Sequence, residues 1–149
     1  MASVKALDGI KLLIQIETAP GSGTFAHDCL ISLDRGISFS AEGSDSNVPD
    51  CDDPSLPSWR QTFIDSISAE INGGGMLHTT STENFFVWLT AGTPKNVRAR
   101  IDTTGADGGG YFAGAFKLTQ FNVTGSRGEK ITAEITMANH GAVTWTDAA

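Results

Sequence analysis

The sequence predicts a mainly β fold, a sandwich or barrel of about seven or eight strands with one flanking α-helix and a long acidic loop. Three observations predict it. Apolar residues recur at period two in several short segments. Seventeen glycines, with many serines and threonines, punctuate those segments with turns. One segment alone carries helical spacing. With 149 residues, 40% of them hydrophobic, the chain suffices for a single domain, taken as residues 1–149.

Ile10, Leu12, Ile14 and Ile16 alternate through a first strand ending at Glu17. Ala19-Pro20-Gly21-Ser22-Gly23 reads as a turn. A second strand is expected from His27 to Leu33, with Cys29, Ile31 and Leu33 on one face. Asp34-Arg35-Gly36 breaks it, and Ile37, Phe39 and Ala41 mark a third. Residues 43–58 hold Pro49, Pro54, Pro57 and four aspartates with no basic residue, which predicts a long loop. A fourth strand is expected from Phe63 to Ile71, ended by Gly73-Gly74-Gly75. Thr80 and Glu83 have capping-box spacing, and Phe85, Trp88 and Leu89 form one apolar stripe. A helix over about 81–91 follows, closed by Gly92 and Pro94. Val97–Ile101, Phe112–Val123 and Ile131–Met137 read as strands, with a turn at Gly125-Ser126-Arg127-Gly128. Val143 and Trp145 mark a last extended segment.

Charge narrows the function. The chain carries 17 acidic and 10 basic side chains, a net −7. That balance opposes a module that grips phosphate and a basic membrane-surface segment. No apolar run approaches the roughly 18 residues of a membrane span. Residues 1–9 lack a signal-peptide pattern, so folding in a cytoplasm is expected. Cys29 and Cys51 then read as two reduced thiols.

Catalytic signatures are missing. There is no P-loop, GxGxxG, HExxH or paired CxxC. Gly21-Ser22-Gly23 lacks the strand-to-helix elbow of a serine hydrolase. The expectation is no catalytic residue, no cofactor and no metal. His27-Asp28-Cys29 and Asp50-Cys51-Asp52-Asp53 offer metal-ligand types, but their spacing does not enforce convergence. Phe85, Phe86 and Trp88 read as core. Trp59 and Trp145 suit either core or an interface.

Three strands carry similar polar faces. Ser38, Ser40 and Glu42 alternate with Ile37, Phe39 and Ala41. Ser66, Ser68 and Glu70 alternate with Ile67, Ala69 and Ile71. Thr132, Glu134 and Thr136 alternate with Ile131, Ile135 and Met137. These sets contain hydroxyls and carboxylates and no cation. An ordinary solvated face mixes both signs. A face without cations suits a passage for a polyanion, because lysines there would hold its phosphates.

At this level the chain resembles the major tail tube proteins of long, non-contractile-tailed bacteriophages, the TP901-1-type major tail proteins. The likeness is carried by GIKLLIQIE, RGISFSAEGSDSNVPD, SWRQTFIDSISAEINGGGM and YFAGAFKLTQFNVTGSRGEKITAEITMANHGAVTW. The resemblance implies a structural subunit of a virion tail, assembled in the host cytoplasm, with no enzymatic activity. It implies hexameric rings stacked into a hollow tube through which DNA passes without specific binding. It also implies contacts with tape measure, terminator and distal tail proteins, and no membrane insertion. The three polar faces become candidate lumen surfaces. Asp45, Asp50, Asp52, Asp53, Trp59 and Arg60 become candidates for contacts between subunits or rings. Arg35, Arg60, Arg98, Arg100 and Arg127 become candidate partners for those aspartates. The tube subunit of a gene transfer agent or secretion system is a close variant. A small-molecule or carbohydrate-binding β-sandwich and a metal-assisted hydrolase are the alternatives.

Overall fold

The period-two segments pair into one antiparallel eight-stranded sheet in the computed structural model, which describes residues 3–19 and 21–148. Pro20, in the expected first turn, lies outside the described residues. The strands are β1 (Leu12–Glu17), β2 (Phe25–His27), β3 (Asp34–Val48), β4 (Trp59–Met76), β5 (Lys95–Ile101), β6 (Gly110–Thr124), β7 (Thr132–Asn139) and β8 (Thr144–Asp147). One helix, α1 (Thr79–Ala91), is present among the described residues. The strand order is β2-β1-β5-β6-β7-β4-β3, and β8 pairs with the first part of β6. The expected mainly β architecture with a single helix is thus observed, built as one continuous sheet.

That sheet curls until its ends meet. Arg35 Nη1, at the start of β3, donates to His27 Nε2 on β2 at 3.4 Å. With that nitrogen accepting, Nδ1 of the same ring donates to the Ile14 carbonyl on β1 at 3.1 Å. The concave side holds the core, with Ile14, Ile71, Val97, Phe116, Ile135 and Met137 fully buried. The helix closes one side of it. Phe85 and Trp88 are buried, and Phe85 lies 5.9 Å from Phe121 on β6. Phe86, expected in the core, is instead exposed on the opposite face of α1.

Several boundaries differ from expectation for local reasons. Residues 28–33 are not strand. The Asp28 carboxylate accepts from the Leu30 amide at 2.8 Å, and the Ile31 amide bonds back to the Asp28 carbonyl at 3.1 Å. The chain turns there and drives two consecutive residues, Leu30 and Ile31, into the core. Gly73, Gly74 and Gly75 do not end β4. They are strand residues whose missing side chains admit that turn: a Cβ at Gly73 would meet Ile31 Cγ2 at 2.7 Å, and one at Gly75 would strike Ser32 Oγ. The capping box does not form either. His78 is the N-cap, without a side-chain cap bond, and Thr80 lies inside the first turn, its hydroxyl 2.6 Å from His78 Nε2. Gly92 does terminate the helix, in the left-handed region at φ 67°.

The largest correction concerns residues 43–58. Gly43–Val48 continue β3, and β4 begins at Trp59 rather than Phe63, so only residues 49–58 form the connecting tip. Their polar composition hides a strand because pairing with β4, not burial, holds it.

Core burial and arm exposure predict opposite responses to truncation. Phe116→Ala should cost about 3–5 kcal/mol in urea unfolding. Trp59→Ala, at a side chain 85% exposed, should change the stability of the isolated chain by no more than about 0.5 kcal/mol.

Candidate functional site

The three polar sets, separate in sequence, meet on one surface. In the β3–β4 ladder Ser38 faces Glu70, Ser40 faces Ser68 and Glu42 faces Ser66. In the β4–β7 ladder Asn72 faces Thr136, Gly74 faces Glu134 and Met76 faces Thr132. Directly paired residues share a face, and alternate residues of one strand share it too. Ser38, Ser40, Glu42, Ser66, Ser68, Glu70, Thr132, Glu134 and Thr136 therefore lie together on the convex side, opposite the core. All are exposed except the half-buried Thr136.

Neutral hydrogen bonds lace this face. Ser40 Oγ and Ser68 Oγ are 2.7 Å apart, and the Thr136 hydroxyl donates to Asn72 Oδ1 at 3.2 Å. β6 extends it with Gln120, Asn122 and Thr124, opposite Thr136, Glu134 and Thr132. The Thr124 and Thr132 hydroxyls are 2.8 Å apart. Sequence periodicity missed the β6 contribution because a bulge at Thr119 inverts the strand's alternation. Phe116 and Leu118 face the core before the bulge, and Phe121 faces it after.

The surface is not free of cations throughout. Lys117, opposite Ala138, closes the row that begins Ser38–Glu70. Beyond it, Arg98 and Arg100 project from the convex side of β5, where they alternate with the buried Val97 and Ala99. Charge is thus segregated, with carboxylates over β3, β4 and β7 and guanidinium groups over β5.

Beyond Ser66, β3 and β4 leave the sheet as a two-stranded arm. β7 covers β4 only from Glu70 to Met76. The arm rises about 25 Å past Ser66 before the tip, at roughly 3.3 Å per residue. Its root carries a bulge between Glu42 and Gly43, which leaves Asp65 unpaired. Gly43 is obligatory there, because a Cβ would run into the Phe63 carbonyl. Both faces of the arm are exposed, including Val48, Trp59, Phe63 and Ile64, and Ile67 is exposed at its root.

The expected contact residues divide between arm and tip. Asp45 lies in β3, not in a loop. It accepts from the Thr62 hydroxyl at 3.0 Å and pairs with Arg60 at 3.7 Å, so both charged groups serve the arm itself. Asp50, Asp52 and Asp53 sit at the tip, where Asp50 accepts from the Asp52 amide at 2.9 Å. His27-Asp28-Cys29 and the tip residues are not brought together, and no group of three metal-ligating side chains converges among the described residues. Trp145 packs on Phe112 at 4.7 Å while remaining 41% exposed.

The description "phage tail tube protein" fits residues 6–145 as a sequence family. The chain belongs to that family. It is a structural subunit of a tail tube, a virion tail component. A similar solved structure is the tail of an empty gene transfer agent particle, computed by helical refinement with C6 symmetry. The identity is 26%, with 95% of this chain and 99% of that chain covered and a TM-score of 0.78. The virion of a native gene transfer agent particle shares the fold at 23% identity and TM-score 0.74, covering 95% of this chain and 99% of that one. The SPP1 tail tube shares it at 8% identity and TM-score 0.63, covering 95% of this chain and 80% of that one. No curated protein matches the chain. No helix among the described residues is long and apolar enough to cross a membrane.

The arm's dependence on its bulge is testable. In Gly43→Ala, amide protection should fall across residues 44–48 and 59–64 while β7 keeps its own, read by hydrogen exchange. Unchanged protection in the arm would remove the steric argument.

Proposed function

We propose that six copies of this chain close into a ring, that rings stack into a tube, and that the hydroxyl-and-carboxylate face lines its bore. The observation that carries this reading is the convergence of three separate polar strand faces on one side of one sheet. Ring symmetry is supported by the C6 gene transfer agent tail. Glu42, Glu70 and Glu134 repel a passing polyanion, and the neutral hydroxyls between them offer no charge to hold it. Lys117 lies at the border of this field, near the subunit boundary in such a ring.

The arm makes the contacts between copies. A two-stranded ribbon with apolar side chains on both faces is marginal alone and gains stability when a neighbour covers it. Asp50, Asp52, Asp53 and Trp59 are its leading contact residues, with the Asp45–Arg60 pair stiffening its shaft. Contact of an arm with a neighbouring ring is head-to-tail, so it propagates as a filament. The role is structural, with no catalytic step. DNA is the cargo of the bore, and tape measure, terminator and distal tail proteins are the remaining partners.

Negative-stain microscopy of the purified chain should show rings or tubes with a central channel; a strictly monomeric chain at every concentration would overturn the reading. Lysine at Ser40, Ser68 and Glu134 together should leave folding within about 1 kcal/mol of the parent. The tubes should form, and particles carrying them should release DNA much more slowly. Normal release would move the bore to another face.

A further inference from the structure

The convex side of β5 holds an arginine prepared for a carboxylate that its own chain does not supply. The Arg98 guanidinium carbon lies 3.9 Å from the ring centre of Phe25 and 4.4 Å from that of Tyr111. Its Nε is buried without a hydrogen-bond partner among the described residues. Two rings thus hold the group in place; Nε is closed off, and the terminal nitrogens, which make no hydrogen bond among the described residues, are the donors an incoming carboxylate can reach. The ion pairs among the described residues are Lys5–Asp107, Arg60–Asp45 and Arg100–Asp102, and Arg98 takes part in none.

We propose that Arg98, clamped between Phe25 and Tyr111, receives an aspartate from the arm tip of a second copy of this chain. The inference rests on the tube reading above. The occupant follows from charge. The tip, residues 49–58, carries Asp50, Asp52 and Asp53 and no cation. Its arm carries it well clear of its own sheet. Of the other candidate arginines, Arg35 bonds His27, Arg60 and Arg100 each face a carboxylate of their own chain, and Arg127 is exposed in the turn after β6 with no ring to order it, so the clamped group is the better receptor. A planar, already ordered guanidinium loses little entropy on binding a carboxylate, and it can take one through two parallel bonds.

The experiment compares tube assembly across variants. Arg98→Met keeps an unbranched side chain between the rings and removes every donor. The concentration needed for tubes should rise about tenfold or more, as for loss of a buried charged hydrogen bond. Asp50→Asn, Asp52→Asn and Asp53→Asn together should reproduce that rise, since asparagine preserves the tip's own turns and these exposed residues leave folding intact. Arg98→Glu should abolish tubes, and adding Asp52→Arg and Asp53→Arg to it should restore them. Melting curves of each variant identify any that fails to fold, in which case the tip variants decide. Tubes from the tip-neutral variant at the parent's concentration would overturn the clamp while leaving the tube reading intact. Failure of the double reversal to restore tubes also counts against it. An unaltered chain that never assembles would overturn the tube reading, and this inference with it.

Discussion

The placement of every polar group on this protein depends on the register of β3 and β4. A slip by one residue would turn Ser38, Ser40 and Glu42 inward and carry Ile37 and Phe39 to the solvent face. Side-chain alternation alone penalises that slip, and the glycine run of β4 adds a steric lock. Gly73 and Gly75 are where the Leu30–Ser32 turn presses against the strand. Moving β4 by one position would bring Asn72 or Met76 under that turn, where no side chain fits. The turn is itself pinned by the Asp28 carboxylate, which also accepts from Ser81 on α1 at 3.1 Å. One aspartate thus ties the buried turn to the helix, and the turn ties the strand to its register.

From that register follows a division of charge. The curl of the sheet turns the convex side of β3, β4 and β7 away from that of β5, so carboxylates and guanidiniums point in different directions. In the proposed tube this arrangement makes the bore anionic while keeping cations for contacts between copies. Opposite charges on different surfaces of one subunit favour contact between unlike faces and penalise contact between like ones. A subunit so divided is biased toward ordered, directional assembly.

Much of this arrangement is legible in the amino-acid sequence. The three polar strand faces, the mainly β architecture, the single helix and its glycine stop all follow from periodicity and turn chemistry. What stays hidden has specific causes. Ser44-Asp45-Ser46-Asn47 reads as loop because it has no apolar face to betray a strand; its partner strand, not a core, makes it one. The glycine triplet reads as a turn because sequence does not reveal that a distant segment needs the space. Leu30 and Ile31 read as strand because an Asx turn delivering two adjacent residues to the core mimics a short apolar run. The bulge at Thr119 inverts the alternation of β6, and so conceals Gln120, Asn122 and Thr124. The clamp around Arg98 is the least accessible, since Phe25 and Tyr111 lie far apart in sequence and meet only through the strand order of the sheet.

The arm poses a physical problem that assembly resolves. Outside a tube it exposes apolar side chains on both faces and a free strand edge, which ordinarily invites indiscriminate pairing. Its sequence counters that hazard locally. Gly43 and the bulge twist the ribbon away from flatness, prolines punctuate the tip, and three tip aspartates repel other tips. The same aspartates that discourage tip-to-tip contact are the groups a clamped arginine would accept. Protection of the free subunit and selection of its partner then reside in the same side chains. The long unsupported ribbon can persist without aggregating, because the contact it avoids and the contact it seeks differ in the sign of the charge it meets.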